Sequence, residues 1–415
     1  MLRFTSSVLL LVAFALMLVA GGCSEADSPS LDESVQVFLE NDLGAASPML
    51  AKVARREPGN ADARAWYAEC LRRQGNFDRA YREAQAALAA DPEHGFAHTV
   101  LGDLFSPRLG SWDGADADSA WSHLLKAVDA DPGDGNAWSS VWIHSMKRGN
   151  EDLEHRAAVA MIECGFLTPS LLAYNRWQLE NLPPNAILLT NGDMDTYPAV
   201  ALQEKEGLRE DVIIINRSLL NLPWYVRNRA RKYDLPLPFT DEELARLDHY
   251  RNIDGDIVTE SDQVISGWIE MQRLRQLDRP LCAAVTLSRF DFTDDALDRL
   301  VFCGSYYEYM LRPLKYNDDI DEIERNLAGV RVEDFQGPFA SDIDRSPVRR
   351  SGTDRLAQNI TASMLRYVRL LTQEGRVEDA RDALGAAERF DAGIRAGGCF
   401  EAEFDSLRED LGAII

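Results

Sequence analysis

The sharpest collection of chemistry-bearing side chains is Thr190-Asn191-Gly192-Asp193-Met194-Asp195-Thr196-Tyr197-Pro198. Carboxylate oxygens are the preferred ligands of a hard divalent cation. Asp193 and Asp195 are therefore the candidate metal ligands, with Mg²⁺ or Mn²⁺ as the ion. The free amides of a helix start favour an anion, which makes Thr190, Asn191, Gly192, Asp193, Asp195 and Thr196 a candidate ligand-binding set. A plainer role competes with both: Asp195 caps a helix, and Asn191-Gly192-Asp193 turns the chain. The next histidine after the turn is His249, so no general base or nucleophile is signalled close by.

The elements around the turn place it. Ala186–Thr190 is a short apolar run of the buried-strand type. Thr196–Glu206 reads as a helix with Pro198 in its first turn, where proline is tolerated, and Gly207 closes it. Asp211–Asn216 is a second strand, Leu281–Leu287 a third and Val301–Met310 a fourth. Helices are expected at Leu222–Tyr233, Asp241–His249 and Asp262–Leu277. Alternating strands and helices predict a small Rossmann-like, mainly parallel α/β domain over 166–315. The turn then lies at the carboxyl end of a strand, where open α/β sheets bind ligands. A D-x-D after a strand also resembles nucleotide-sugar glycosyltransferases, where the pair grips a metal–diphosphate. No GxGxxG after a strand, Walker A loop, HExxH or GxSxG elbow is present.

Self-similarity flanks this centre. Residues 61–92 place apolar or small residues at three- and four-residue spacing, with Gly75 as a break and Asp91-Pro92 as a stop. Ala68, Gly75, Phe77, Ala80, Ala87 and Pro92 stand where a tetratricopeptide repeat has its consensus, and the stretch resembles that family. Leu101-Gly102, Phe105, Ala120, Ala127 and Pro132 repeat the offsets around an inserted loop. A third copy starts near Trp138 and fades after Gly149. The pattern returns at Tyr367, Leu371, Gly375, Val377, Ala380, Leu384 and Ala387. The expected organisation is α plus α/β: tetratricopeptide-like hairpins over 32–165 and 351–415 flank the central domain, with a linker at 316–350. In such arrays the first helix of each pair lines the concave face. The resemblance places Asp62, Glu69, Arg72, Arg73, Thr99 and Asp103 there, with the arginines offered as forks to a protein or peptide partner. His94 and His98 have metal-ligand spacing without the glutamate of a zinc-protease motif. Trp112, Trp121, Trp138 and Trp142 read as helix-packing core.

The chain carries 68 acidic against 44 basic residues, a formal charge of −24. That field repels phosphate backbones, so nucleic acid is not an expected partner. Arg3 and the apolar run Val8–Ala20 have signal-peptide proportions. The run ends in Ala20-Gly21-Gly22-Cys23, which resembles the bacterial lipoprotein box, although Ala20 stands where leucine is usual. The resemblance implies a leader over 1–22, lipidation of Cys23, a tether over 23–31, and a lipid-anchored place in a bacterial cell envelope facing the periplasm or exterior. Five further cysteines lack CxxC spacing and read as buried thiols.

A second resemblance covers NGDMDTYP, the Leu202-Gln203-Glu204 and Glu206-Gly207 helix end, the Asp211 strand, Leu219-Leu220-Asn221 to Trp224-Tyr225, Arg279–Ser288 and Tyr306–Lys315. These elements are similar to the soluble C-terminal region of a bacterial family of unknown function. Its members begin with a multi-pass membrane part resembling protein O-mannosyltransferases, which has no counterpart in this sequence. The resemblance therefore implies a domain and a cell-envelope setting rather than an activity. The expected function is a non-catalytic binding or assembly module for a protein, peptide or glycan. The alternatives are a metal-dependent glycosyl- or phosphoryl-transfer enzyme using Asp193 and Asp195, and a solute receptor.

Overall fold

The computed structural model describes residues 28–106, 112–253, 255–287, 297–311 and 318–413. The leader and Cys23 lie outside the described residues. The fold is α plus α/β, and the chain divides into two compact units, Met1–Val100 and Leu101–Ile415.

The first unit is helical: α1 (Leu31–Leu39), α2 (Leu43–Arg56), α3 (Ala61–Arg73), α4 (Phe77–Ala90) and the start of α5 (Gly95–Phe105). Side chains of Ser30, Asp42 and Asn60 cap the first three by accepting backbone N–H groups, which satisfies donors that a helix start leaves open. Ala80, Ala84 and Ala87 of α4 are fully buried; small side chains let paired helices approach closely. The α3–α4 turn depends on Gly75 at φ +75°, a conformation that costs glycine little. Its N–H donates to the Arg72 carbonyl at 3.0 Å, and that of Asn76 to the Leu71 carbonyl at 2.9 Å.

The second unit continues with α6 (Ala117–Ala130), α7 (Gly135–Arg148), α8 (Glu151–Glu163) and α9 (Pro169–Glu180). Gly149 repeats the Gly75 turn at φ +66°, so the copy whose signature fades after Gly149 is a complete hairpin of α7 and α8. Gly102 packs against α6, and a Cβ there would meet Leu124 side-chain carbons at 2.6 Å. Trp138 and Trp142 are buried, as core packing requires.

After α9 the chain enters the sheet: β1 (Ile187–Thr190), α10 (Asp193–Glu206), β2 (Ile213–Asn216), a 3₁₀ turn at Arg217–Asn221, and α11 (Pro223–Tyr233). There follow α12 (Asp241–Leu244), the two-stranded ribbon β3 (Tyr250–Arg251) with β4 (Ile257–Val258), α13 (Glu260–Arg273), β5 (Leu281–Ala284), β6 (Leu300–Phe302) and β7 (Tyr306–Tyr309). Strand order is β2-β1-β5-β7-β6. The β1–β2 and β1–β5 pairs are parallel, whereas β5–β7 and β6–β7 are antiparallel. The sheet is therefore mixed, because the stretch expected to form one fourth strand is a hairpin. Its turn is hidden inside an apolar run at Cys303-Gly304-Ser305, with Gly304 at φ +91°. The helix expected at Asp241–His249 is a single turn ending at Leu244.

The unit closes with α14 (Ile320–Ala328), α15 (Pro347–Gly352), α16 (Gln358–Gln373), α17 (Val377–Gly393) and α18 (Glu401–Ala413). Gly375 supplies the α16–α17 turn at φ +76°. Every residue of β1, β2 and β5 is buried, and each large aliphatic side chain among them contributes about 1.5–3 kcal/mol by leaving water. Within the basic stretch 227–232, Arg229 and Lys232 turn to Glu154 of α8, at 3.0 and 2.9 Å, and Arg227 to Asp241 at 2.5 Å. Arg229 and Glu154 are each 1% exposed. The five described cysteines are free thiols, but not all are buried as expected: Cys70, Cys282 and Cys303 are, Cys164 is half-buried, and Cys399 is exposed. Burial raises the pKa of Cys70 to about 11 and of Cys303 to about 12.

Candidate functional site

The NGDMDTYP turn sits at a topological switch. From β1 the chain goes to β2 on one side, then returns across to β5 on the other. Ligand crevices of open α/β sheets lie at such points, beyond the strand carboxyl ends. Here the crevice is laced by its own residues. Asn191 Nδ2, after β1, donates to the Thr286 carbonyl, after β5, at 2.9 Å. Thr286 Oγ1 donates back to Asp195 Oδ2 at 2.5 Å.

Helix α10 begins at Asp193, three residues earlier than the apolar pattern indicates. Asp193 and Asp195 are therefore two apart on a helix, a spacing whose side chains do not face each other. Asp195 turns inward and is 2% exposed. Its Oδ1 accepts the Gly192 N–H at 2.8 Å and its Oδ2 the Asn191 N–H at 2.7 Å. Burial raises its carboxyl pKa, with Thr286 and the two amides pulling the other way. Asp193 turns outward to Arg349 Nη1 at 3.5 Å. An Mg²⁺ or Mn²⁺ bridging the two carboxylates does not suit this donor set. Three hydrogen-bond donors already present their positive ends to Asp195, and those ends repel a cation. Asp195 instead does the work of a cap, from the third helical position rather than from the N-cap before Thr196.

Thr190 and Thr196 are buried in a polar stitch. Their Oγ1 atoms are 2.6 Å apart, and Asn216 Nδ2 donates to Thr196 Oγ1 at 3.1 Å. Each central strand thus ends in a hydrogen-bonding residue of this network: Thr190, Asn216 and, just beyond β5, Thr286. Pro198 lies in the second turn of α10 and has no N–H for the Met194 carbonyl. Asn175 of α9, wholly buried, supplies it with Nδ2 at 3.1 Å.

Residues 341–350 hold the outer side. Arg349 grips Asp344 with two donors, at 2.7 and 2.8 Å, and reaches Asn136 at 3.2 Å. Arg345 pairs with Asp134, whose carboxylate also caps α7. None of these partners is signalled by local spacing, whereas Thr190 and Asn216, which close the first two apolar strand runs, were readable.

The residues assigned to a partner groove are placed differently from one another. Asp62 is exposed and lies 3.1 Å from His94 Nε2. Glu69 is 4% exposed, with Arg72 at 2.7 Å and Arg73 at 2.6 Å. The two arginine forks are engaged on α3 itself. Burial opposes the Glu69 charge, but the two guanidiniums outweigh it and lower its pKa to about 2. Thr99 is buried and donates to the Gly95 carbonyl, and Asp103 accepts from Ser140 Oγ at 2.8 Å. His94 also accepts the Ala97 N–H, while His98 Nε2 lies 3.1 Å from the Pro92 carbonyl. The two imidazoles therefore serve separate backbone contacts.

Two clefts of the second unit lie away from the turn. One, about 380 Å³, runs between α9 and residues 325–335 over Leu172, Trp177 and Phe335. The other, about 530 Å³, opens beside Leu277, Pro280, Glu308 and Met310.

Residues 172–277 match the family model of TMEM260-associated domain 2. Residues 37–104 match that of the tetratricopeptide repeat. The chain thus joins a tetratricopeptide array to a TMEM260-like soluble domain. No curated protein matches it. Among solved structures, a MamA protein is 16% identical, covering 50% of this chain and 94% of that one at a TM-score of 0.27. Pseudomonas aeruginosa pilF is 15% identical, covering 59% and 89% at 0.31. A Naa15/Naa10 complex bound to HypK-THB is 10% identical, covering 92% and 50% at 0.29. Tetratricopeptide repeats mediate protein contacts, and the matched repeat supports an interaction or assembly module.

Proposed function

We propose that this chain is a lipid-anchored adaptor of a bacterial cell envelope that captures a protein or peptide on its helical repeats and uses its α/β domain as a scaffold. The carrying observation is the commitment of the switch-point crevice to the fold: Asp195 accepts three donors, and Asn191 ties the β1 turn to the β5 turn. The repeat match over 37–104 supports the capture role. The Ala20-Gly21-Gly22-Cys23 box supports the anchor, since acyl chains hold a protein at a membrane surface.

Crosslinking and affinity capture from envelope fractions tests the reading. The full chain is expected to recover one stoichiometric partner, and Asp62→Arg, at the exposed groove residue, to lose it with melting unchanged. Capture that ignores Asp62→Arg moves the partner off the repeats. Cys23→Ala is expected to release the protein from sedimenting membranes; a variant that still pellets refutes the anchor.

A further inference from the structure

Away from the β1 turn, one group of metal-ligating side chains converges among the described residues. Asp248, His249 and Glu260 bring one ligand atom each to within 4.8 Å of one another. His249 Nδ1 is 3.0 Å from Asp248 Oδ1 and 3.9 Å from Glu260 Oε1. The β3–β4 ladder sets this meeting. Tyr250 pairs with Val258 and Arg251 with Ile257, so antiparallel register carries residue 249 opposite 259 and 248 opposite 260. Both sides are anchored: Gln263 Nε2 holds the Asp248 carbonyl at 2.9 Å, and Glu260 opens α13 behind the Thr259 cap.

Charge supplies a second argument. Of the other acids of this stretch, Asp241, Glu242 and Asp262 pair with Arg227, Arg246 and Arg217, while Glu243 and Asp256 bond to Thr240 and Asn252 on their own turns. Asp248 and Glu260 have no Lys or Arg partner among the described residues and share one imidazole. Two carboxylates this close repel, and a cation between them removes the repulsion. The amino end of α13 opposes a cation with about half a charge, less than the two full charges that favour it.

We infer that Asp248, His249 and Glu260 form a Zn²⁺ site. One imidazole nitrogen and two carboxylate oxygens are a three-ligand zinc set that leaves a fourth position for water or a partner's ligand. The ion fastens the base of the ribbon to α13. That ribbon presents Tyr250, Ile253 and Ile257 to solvent, the second of them fully exposed, so the metal orders an outward-facing apolar edge. The inference is independent of the adaptor reading.

The test uses the full chain stripped with EDTA and titrated with Zn²⁺ against a chromophoric chelator. Hydrogen exchange of residues 249–260 is followed in parallel. One Zn²⁺ per chain is expected, with exchange in the ribbon slowed. His249→Ala and Glu260→Gln are expected to weaken binding by at least the roughly tenfold that even outer-shell changes cost, and to abolish the slowing. These side chains lie at the surface, and circular dichroism confirms folding of each variant. Wild type that binds no Zn²⁺ at millimolar concentration overturns the site. So does a His249→Ala variant that binds as tightly as wild type.

Discussion

Replacing Asn175 with alanine tests how α10 tolerates an internal proline. Pro198 leaves the Met194 carbonyl without its helical donor, and Asn175 Nδ2 takes that place at 3.1 Å. Orphaning a buried carbonyl costs about 1–3 kcal/mol. Asn175 Oδ1 is itself buried without a partner among the described residues, so truncation also relieves one unmet acceptor, and the net loss is about 1–2 kcal/mol. Pro198→Ala restores an N–H at the position that needs it. In the wild-type background the carbonyl is already served, and the change is near neutral. In the Asn175→Ala background it is expected to recover about 1 kcal/mol, or about 2 °C in Tm for a unit as large as Leu101–Ile415. Urea and thermal melts of the four proteins measure this coupling. If the two changes add to within about 0.5 kcal/mol, Asn175 is not the substitute donor and the account fails.

Three further outcomes are expected. Glu69 has a folded pKa lowered from 4.5 to about 2, so its contribution is complete above pH 4.5 and is lost as pH falls toward 2; Glu69→Gln flattens that limb in melts of the first unit. Gly102→Ala places a methyl 2.6 Å from Leu124 carbons and costs about 1–3 kcal/mol by overpacking, read by denaturant titration. Glu154→Gln leaves Arg229 buried without its counter-charge and is expected to cost about 3–5 kcal/mol, whereas joint replacement of both by apolar residues retains most stability.

The helical repeats were legible because small residues and turn glycines recur at fixed offsets, and Gly75, Gly149 and Gly375 take the same left-handed turn. The central strands were legible as short apolar runs. The site was legible as a place but not as a geometry. D-x-D shows two carboxylates without showing where the helix starts. With α10 beginning at Asp193, one acid faces the interior and the other Arg349. For Glu69, Arg72 and Arg73 the signal was present: three- and four-residue spacing makes them neighbours of each other. The 301–310 hairpin was hidden because its turn is built from residues that also suit a strand. Contacts between 134–136 and 344–349 have no local trace at all.

Those last contacts bear on the order in which the chain acquires its structure. Asp134 and Arg345 are 211 positions apart, and Asn136 and Arg349 are 213 apart. Closing spans of that length is the slow part of folding, while the helical hairpins form from near neighbours. The amino end of α7 and the outer side of the β1 turn therefore wait, incomplete, until residue 349 has been synthesised. A nascent chain stalled before that point carries finished repeats beside an unlatched sheet. The latch is therefore a late step of folding, completing the second unit after its local hairpins have formed.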